Sequence, residues 1–288
     1  MIGDVLNTRI REYGPANSIE QENVLQELMQ HYVLAGLARA GMFSVAVFHG
    51  GTCLRIVHGM RRFSEDLDFL LKNPDPGFRW TEYLESVRRD FTREGIALEI
   101  QDKSAAGTAV QKAFVKTDAI GRVLLLVLPF ERPNPRKIRI KLEIDTNPPA
   151  GSAFQTSFIT FPTVSAITTQ TLPSSFALKL HALLCRRYVK GRDWYDLCWY
   201  ISRGVKPDLG LLQNALWQQG PWAPQALTVT SEWLIECLAA TVGDIDWREL
   251  GTDIQRFLPN EERTIPEAWS KEFFRSQLEV LGRSLHDE

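Results

Sequence analysis

Apolar residues recur at helical spacing in two segments near the start of the chain. The first segment carries Val24, Leu25, Leu28, Tyr32 and Leu37. Because Ser18 and Gln21 precede it at the spacing of a capping box, the pattern predicts a helix over residues 18–41. The second segment carries Tyr83, Leu84, Val87 and Phe91 on one helical face, which predicts a helix over residues 80–94.

Short β-branched or alternating segments, separated by Gly, Pro and charged turns, predict a series of strands. These strands cover residues 43–48, 64–71, 96–100, 113–117, 123–128 and 137–145. The last strand places Ile138, Ile140, Leu142 and Ile144 on one face and Arg139, Lys141, Glu143 and Asp145 on the other. We therefore expect a mixed or antiparallel sheet in this part of the chain.

After an extended stretch near residues 158–164 the pattern becomes helical, starting with a helix over residues 174–190. The fold class is therefore α/β in the α+β sense, with a mixed sheet followed by a mostly helical region. A chain of 288 residues is long enough for two packed subdomains. We expect one domain over residues 1–160 and a helical domain over residues 161–288.

Composition and charge limit the classes of function. The chain is 44% hydrophobic and 24% charged with a formal net charge of −2, so any nucleic-acid binding must be local and not that of a general polycation. The four cysteines lack paired or zinc-like spacing, which indicates reduced, structural thiols. The longest strongly apolar run, residues 123–130, is too short to span a bilayer, and no signal-peptide pattern opens the chain. We therefore expect a cytoplasmic protein that does not bind membranes.

The segment over residues 48–70 carries the most specific chemistry. Asp66 and Asp68 alternate along a strand and share one face, while Gly50-Gly51-Thr52 forms a turn before a short helix, with fourteen residues between Gly51 and Asp66. Paired carboxylates suit Mg²⁺, which is commonly held together with substrate phosphates. The glycine turn and the N–H groups at the helix start suit the phosphates of a polyphosphate substrate. Together they predict a metal and polyphosphate site.

The strand over residues 137–145 offers a third carboxylate for such a site. Glu143 and Asp145 lie on the same face of this strand, so the alternation alone leaves both open as metal ligands. We prefer Asp145 slightly, because it lies at the strand end, where a cleft would open. Glu143 is the close alternative.

Basic residues in two later segments are candidates for contact with a triphosphate or an RNA backbone. Arg186 and Lys190 follow Lys179 by seven and eleven residues, and the three form a basic line on the helix predicted over residues 174–190. Another basic cluster consists of Arg132, Arg136, Lys137, Arg139 and Lys141. Such a cluster is usually a solvated surface; because this one leads into the strand of the third carboxylate, the alternative is that it guides an RNA end toward the metals.

These residues also carry a family resemblance. The Gly-Gly turn, short helix and Asp-x-Asp strand resemble the DNA polymerase β-type nucleotidyltransferase superfamily. The fuller string from Gly50-Gly51-Thr52 to Arg62-Phe63-Ser64-Glu65-Asp66-Leu67-Asp68-Phe69 is similar to the AbiEii-type nucleotidyltransferase toxins of toxin–antitoxin and abortive-infection systems. Leu178-Lys179-Leu180-His181-Ala182 and Gly191-Arg192-Asp193-Trp194-Tyr195-Asp196-Leu197 are similar to a second block of that family.

The resemblance completes the set of expected site residues. The expected catalytic residues are Asp66, Asp68, Lys179 and Asp193, with Asp196 as a weaker second aspartate. The expected nucleotide-binding residues are Gly50, Gly51, Thr52, Arg55, Ser64, Lys179 and Arg186. The expected metal ligands are Asp66, Asp68, Asp145 and Glu143. The first domain is then the catalytic domain, and the helical domain closes over the nucleotide.

The resemblance implies an Mg²⁺- or Mn²⁺-dependent transfer of a nucleoside monophosphate from an NTP, with release of pyrophosphate. The expected acceptor is the 3′ end of an RNA such as tRNA, and a cognate antitoxin would be encoded beside the toxin. Two alternatives stay open from the sequence. One is transfer to a protein or small-molecule hydroxyl, and the other is a noncatalytic regulatory role.

Overall fold

A computed structural model describes residues 2–102, 119–128, 136–222 and 227–286 of the chain. The strand expected over residues 113–117 lies outside the described residues, as does Arg132. The described chain forms two compact units: the first runs to Pro148 and includes Phe154–Thr169, and the second comprises Pro149–Ala153 and the chain from Gln170 onward. The division into functional domains at residues 160 and 161 stays a prediction.

The first unit is built on a mixed sheet. Its strands are β1 (Ala46–His49), β2 (Asp66–Leu71), β3 (Ala97–Asp102), β4 (Ala119–Leu128), β5 (Arg136–Asp145), β6 (Phe154–Ile159) and β7 (Ser165–Gln170). The strand order in the described sheet is β3-β4-β5-β2-β1-β7-β6. β2 pairs antiparallel with β1 and parallel with β5, so the strand with the two aspartates lies inside the sheet. The predicted mixed sheet is confirmed.

In the described part of the first unit, four α-helices accompany this sheet: α1 (Ile2–Tyr13), α2 (Ser18–Arg39), α3 (Gly50–His58) and α4 (Thr81–Arg93). The helices predicted over residues 18–41 and 80–94 are α2 and α4. The predicted capping box at Ser18 is wrong, because the N-cap is Asn17, whose side chain accepts a hydrogen bond from the backbone N–H of Glu20 at 2.9 Å. The sequence pattern did not predict α1, which buries Leu6 and Ile10.

Alternation along the strands separates the core from the candidate site. On β5, the apolar residues Ile138, Ile140, Leu142 and Ile144 are all buried. They join the buried faces of α2 and α4 in one hydrophobic core. The polar face of β5 therefore points away from this core, as the sequence pattern predicted.

Two features of the chain differ from the prediction. The extended stretch expected near residues 158–164 covers only the end of β6 and the connection from β6 to β7, so two flanking strands stand where one stretch was expected. The helix expected over residues 174–190 ends at Cys185, where the backbone of Arg186 becomes extended. Arg186 and Lys190 therefore do not continue a basic line on one helix with Lys179, and that prediction is wrong.

The second unit is helical. Its helices are α5 (Leu172–Cys185), α6 (Gly191–Ser202), α7 (Leu209–Gln218), α8 (Ser231–Gly243), α9 (Trp247–Ile254) and α10 (Lys271–His286). Trp194 packs edge-on against Trp247 and Phe274, with ring centroids 5.0 and 5.2 Å apart. These rings form part of the core of the unit. Among the described helices, none has the length and apolar character needed to cross a bilayer.

Candidate active site

Asp66 and Asp68 project from one face of β2. Leu67 and Phe69 alternate with them and are fully or almost fully buried on the opposite face. The side chain of Asp66 is 32% exposed, so its carboxylate reaches solvent while its backbone is held in the sheet. The alternation thus anchors two carboxylates on a rigid support, as the sequence pattern indicated.

The pairing of β2 with β5 decides which acidic residue lies beside them. In the parallel register Asp68 is opposite Glu143, whereas Asp145 is opposite Leu70. Asp145 is only 8% exposed, and its Oδ1 accepts a hydrogen bond from the backbone N–H of Asn147 at 3.1 Å. The geometry therefore favours Glu143 over Asp145 as the third carboxylate, the reverse of the preference drawn from the strand end.

A positive charge lies within this group of carboxylates. Lys141 is opposite Asp66 in the same register, and its Nζ is 3.4 Å from Asp66 Oδ2 and 3.1 Å from Glu143 Oε1. In the sequence analysis Lys141 belonged to a basic cluster that was interpreted as either a solvated surface or a track for RNA. Lys137 and Arg139 of that cluster are exposed, but the ammonium of Lys141 is engaged by two of the candidate metal ligands.

Gly50 lies against the carboxylate of Asp68. His49 ends β1 opposite Asp68, and the next residue, Gly50, has a left-handed backbone with φ of +78°. A Cβ at position 50 would lie 2.6 Å from Asp68 Oδ2 and 3.1 Å from Asp68 Cβ. Both the backbone conformation and the close approach therefore require glycine here.

The next two residues of the turn contact the segment that leads into β2. A Cβ on Gly51 would lie 2.5 Å from Nη2 of the buried Arg62 and 3.0 Å from Ser64 Oγ. The hydroxyl of Thr52, itself fully buried, donates a hydrogen bond to the backbone carbonyl of Asp66. The Gly-Gly-Thr turn is thus joined directly to the aspartate strand, and Ser64 lies beside it.

Two glutamines on α2 hold the backbone before Asp66. Gln30 Nε2 donates to the carbonyls of Ser64 at 3.0 Å and Glu65 at 2.9 Å, and Gln26 Nε2 donates to Glu65 at 3.1 Å. Gln30 is 1% exposed. The sequence pattern did not predict a role for these two glutamines. A glutamine beside the apolar stripe of a helix is a signal that a buried polar partner exists.

Arg55 on α3 is engaged within the first unit. Its Nε lies 2.7 Å from Glu27 Oε2, its guanidinium lies over the ring of Phe63 at 4.3 Å, and it donates to the carbonyls of Met60 and Arg61. These contacts hold the loop between α3 and β2. The expected contact of Arg55 with a nucleotide stays a prediction.

The second unit contains a buried ionic cluster made of residues from the second sequence block. Lys179 Nζ lies 2.8 Å from both Asp193 Oδ1 and Asp196 Oδ2, and Arg186 pairs with the other oxygen of Asp193. Burial raises the pKa of Asp193, but the charges of Lys179 and Arg186 outweigh burial and hold that pKa below its ordinary value. These ion pairs explain why the second sequence block contains many charged residues. The catalytic and nucleotide-binding roles of these residues stay predictions.

Comparison with known proteins identifies the family. The model for the nucleotidyl transferase AbiEii toxin of type IV toxin–antitoxin systems matches residues 32–275. The chain belongs to the AbiEii nucleotidyltransferase toxin family. Membership places it among nucleotidyltransferases that act as toxins, and a system of this type includes a cognate antitoxin. No curated protein sequence matches the chain.

A solved structure supports the fold of this AbiEii family member, and a second one is described beside it for comparison. A crystal structure from H. pylori, named there as a candidate nucleotidyltransferase, is 16% identical, with a TM-score of 0.51 over 91% of this chain and 95% of that one. The crystal structure of JHP933 from Helicobacter pylori is 17% identical, with a TM-score of 0.49 over 91% of this chain and 92% of that one. At this identity the first likeness shows a shared fold.

Nucleotidyltransferases of this kind use an NTP and a divalent metal. Across the described ranges, no three His, Cys, Asp or Glu side chains are already gathered closely enough to hold a metal ion. The donor chemistry still fits a hard divalent cation, because Asp66, Asp68 and Glu143 project from one face of two paired strands and their carboxylate oxygens are hard ligands. The ammonium of Lys141 lies between Asp66 and Glu143 and places one positive charge beside these carboxylates.

Proposed function

We propose that this AbiEii family member transfers a nucleoside monophosphate from an NTP to the 3′ end of an RNA, with tRNA as the acceptor, and releases pyrophosphate. The observation that carries the proposal is the meeting of Asp66, Asp68 and Glu143 on one sheet face beside Gly50. Carboxylates alone would suit many metal enzymes. The adjoining glycine turn at the start of α3 adds a place for phosphate.

In this proposal Asp66, Asp68 and Glu143 hold Mg²⁺ or Mn²⁺. The metal, when bound, supplies positive charge that stabilises the attacking and leaving oxygens of an in-line displacement at the α-phosphate. Gly50 and Gly51 let the polyphosphate approach the backbone N–H groups at the start of α3. Thr52 fixes the first residue of β2 through its bond to Asp66, so both halves of the site keep their spacing.

The second unit adds a group of charged residues that are already paired with one another: Lys179, Arg186 and Asp193. Lys179 and Arg186 are cations held by Asp193, which limits their motion. We propose that Lys179 and Arg186 bind phosphate through their remaining donors, while Asp193 orients them. An ordered cation loses less side-chain entropy when it binds phosphate than a mobile one does.

The test uses purified full-length protein with Mg²⁺ or Mn²⁺, total RNA and each α-³²P-labelled NTP in turn, resolved on a denaturing gel. We expect label on a discrete tRNA-sized band. The double variant Asp66→Ala, Asp68→Ala is the control and should give no label. Label on protein or on a small molecule would replace the RNA acceptor, and absence of label with every NTP and every acceptor would refute catalysis.

A matched pair of variants tests the third carboxylate. Glu143→Gln and Asp145→Asn each remove one charge from the same face of β5. We expect Glu143→Gln to reduce transfer about a hundredfold or more, because a ligand is lost, and Asp145→Asn to retain transfer within about fivefold. The opposite order would return the assignment to Asp145.

A further inference from the structure

The ammonium of Lys141 occupies a position that the proposed function needs for a cation. It contacts one oxygen of Asp66 and one of Glu143, at 3.4 and 3.1 Å. The side chains of Lys141, Asp66 and Glu143 are each about one-third exposed, so solvent reaches these ion pairs only in part. Among the described ion pairs, these two are the contacts of Lys141.

The strand register explains why the lysine is placed here. Lys141 is opposite Asp66 and Glu143 is opposite Asp68, so four charged side chains project from adjacent positions of two paired strands. Three of the four are carboxylates, and like charges at such spacing repel one another when no cation is present. Lys141 reduces this repulsion from within the group.

We propose that Lys141 is a resident counter-cation of the metal-free site, and that a divalent metal displaces its ammonium from Asp66 and Glu143 on binding. The inference rests on the proposed metal site. Lys141 then acts as a positioning residue: it keeps the carboxylates close together before metal arrives, and it competes with the metal for the same oxygens.

This arrangement has two consequences of opposite sign. Removing the ammonium takes away a competitor, so the affinity for a divalent cation should rise. Removing it also leaves Asp66, Asp68 and Glu143 without that counter-charge, so the metal-free protein should become less stable. A lysine that served only to pack the strand would lower stability without raising metal affinity.

The experiment compares full-length wild type with Lys141→Met and Lys137→Met. Lys137 lies on the same strand face, four residues away or about 13 Å along the strand, and is exposed. It therefore controls for the loss of one positive charge. Mn²⁺ binding is measured by isothermal titration calorimetry, and thermal unfolding is measured in EDTA and in saturating Mn²⁺.

We expect Lys141→Met to bind Mn²⁺ roughly tenfold more tightly, since an exposed ion pair contributes a factor of up to about five and the ammonium makes two of them. Its midpoint of unfolding should fall in EDTA and recover in Mn²⁺. Lys137→Met should change the Mn²⁺ affinity by less than about twofold, because charges beyond a Debye length are screened. If Lys141→Met does not fold, Lys141→Gln replaces it with the same expectations.

Two results would overturn the inference, and they are distinguishable. If wild type binds Mn²⁺ and loses that binding in Asp66→Ala, but Lys141→Met binds no more tightly than wild type, then Lys141 is no competitor and the proposed metal site still stands. If wild type binds no Mn²⁺ with or without NTP, then the metal site itself fails, and the inference fails with it.

Discussion

The substitution Gly50→Ala adds a methyl group where the carboxylate of Asp68 already lies. The new Cβ would be 2.6 Å from Asp68 Oδ2, and the backbone at residue 50 has φ of +78°. The left-handed backbone costs a non-glycine residue about 1–2 kcal/mol. Turning the Asp68 side chain away from its rotamer costs about 1 kcal/mol more. We therefore expect a loss of about 2–3 kcal/mol in the free energy of unfolding.

The control for this prediction lies at the other end of the same helix. Gly59 has φ of +72°, and a Cβ there would meet no heavy atom within 4 Å. Gly59→Ala therefore carries the backbone cost without the contact, and any gain from a stiffer unfolded chain is shared by both variants. Urea unfolding followed by tryptophan fluorescence should show Gly50→Ala about 1 kcal/mol less stable than Gly59→Ala.

The rate of nucleotide transfer should also differ between the two variants. A shift of about 1 Å in a catalytic group costs on the order of a hundredfold in rate, so Gly50→Ala should lose nucleotide transfer and Gly59→Ala should keep it. In the background of Asp68→Ala, which removes the overlapped oxygen, the extra loss of stability from Gly50→Ala should shrink. Equal stability of the two single variants, with transfer retained in Gly50→Ala, would refute the reasoning.

Three further predictions follow from individual contacts. Thr52→Val loses the hydrogen bond to Asp66 and should cost about 1 kcal/mol in urea unfolding, whereas Thr52→Ser should restore most of it. Lys179→Met leaves Asp193 buried with one cation fewer and should cost about 3–5 kcal/mol in the same assay; a loss below 1 kcal/mol would contradict the ion pair. Burial lowers the pKa of His31 in the folded state, so its contribution to stability is complete above about pH 6.5 and is lost as pH falls toward the lower folded pKa. His31→Leu should flatten the fall in melting temperature between pH 7 and pH 5, and an unchanged slope would count against this origin.

Alternation and helical periodicity predicted much of the first unit. Because one face of each strand must enter the core, the alternation from Ile138 to Ile144 correctly predicted the strand β5 and the face that it buries. The same reasoning located β2, α2 and α4. α1 was missed because its stripe is short: in the part of this helix whose burial is described, residues 3–13, the buried apolar residues are Leu6 and Ile10.

The parts that were not predicted depend on contacts distant in sequence. Asp145 and Glu143 lie on one face of β5, and only the register with β2 shows that Glu143 is the neighbour of Asp68. The end of α5 has a similar cause. The five residues after Cys185 contain no Gly or Pro, but Arg186 turns out of the helix and pairs with Asp193 on α6. Local periodicity contains no information about either partner.

The spacing of the first sequence block follows from how β1 and β2 pair. His49 is opposite Asp68 in an antiparallel register, so the residue that follows His49 must enter the space beside that carboxylate. Only a glycine fits there, as the overlap at Gly50 shows. A slip of one residue would turn Asp66 and Asp68 toward the apolar core and bring Leu67 and Phe69 to the solvent face. The burial energy of Leu67 and Phe69 therefore holds the carboxylates in place, and the same register that stabilises the sheet sets the distance between the glycine turn and the acids.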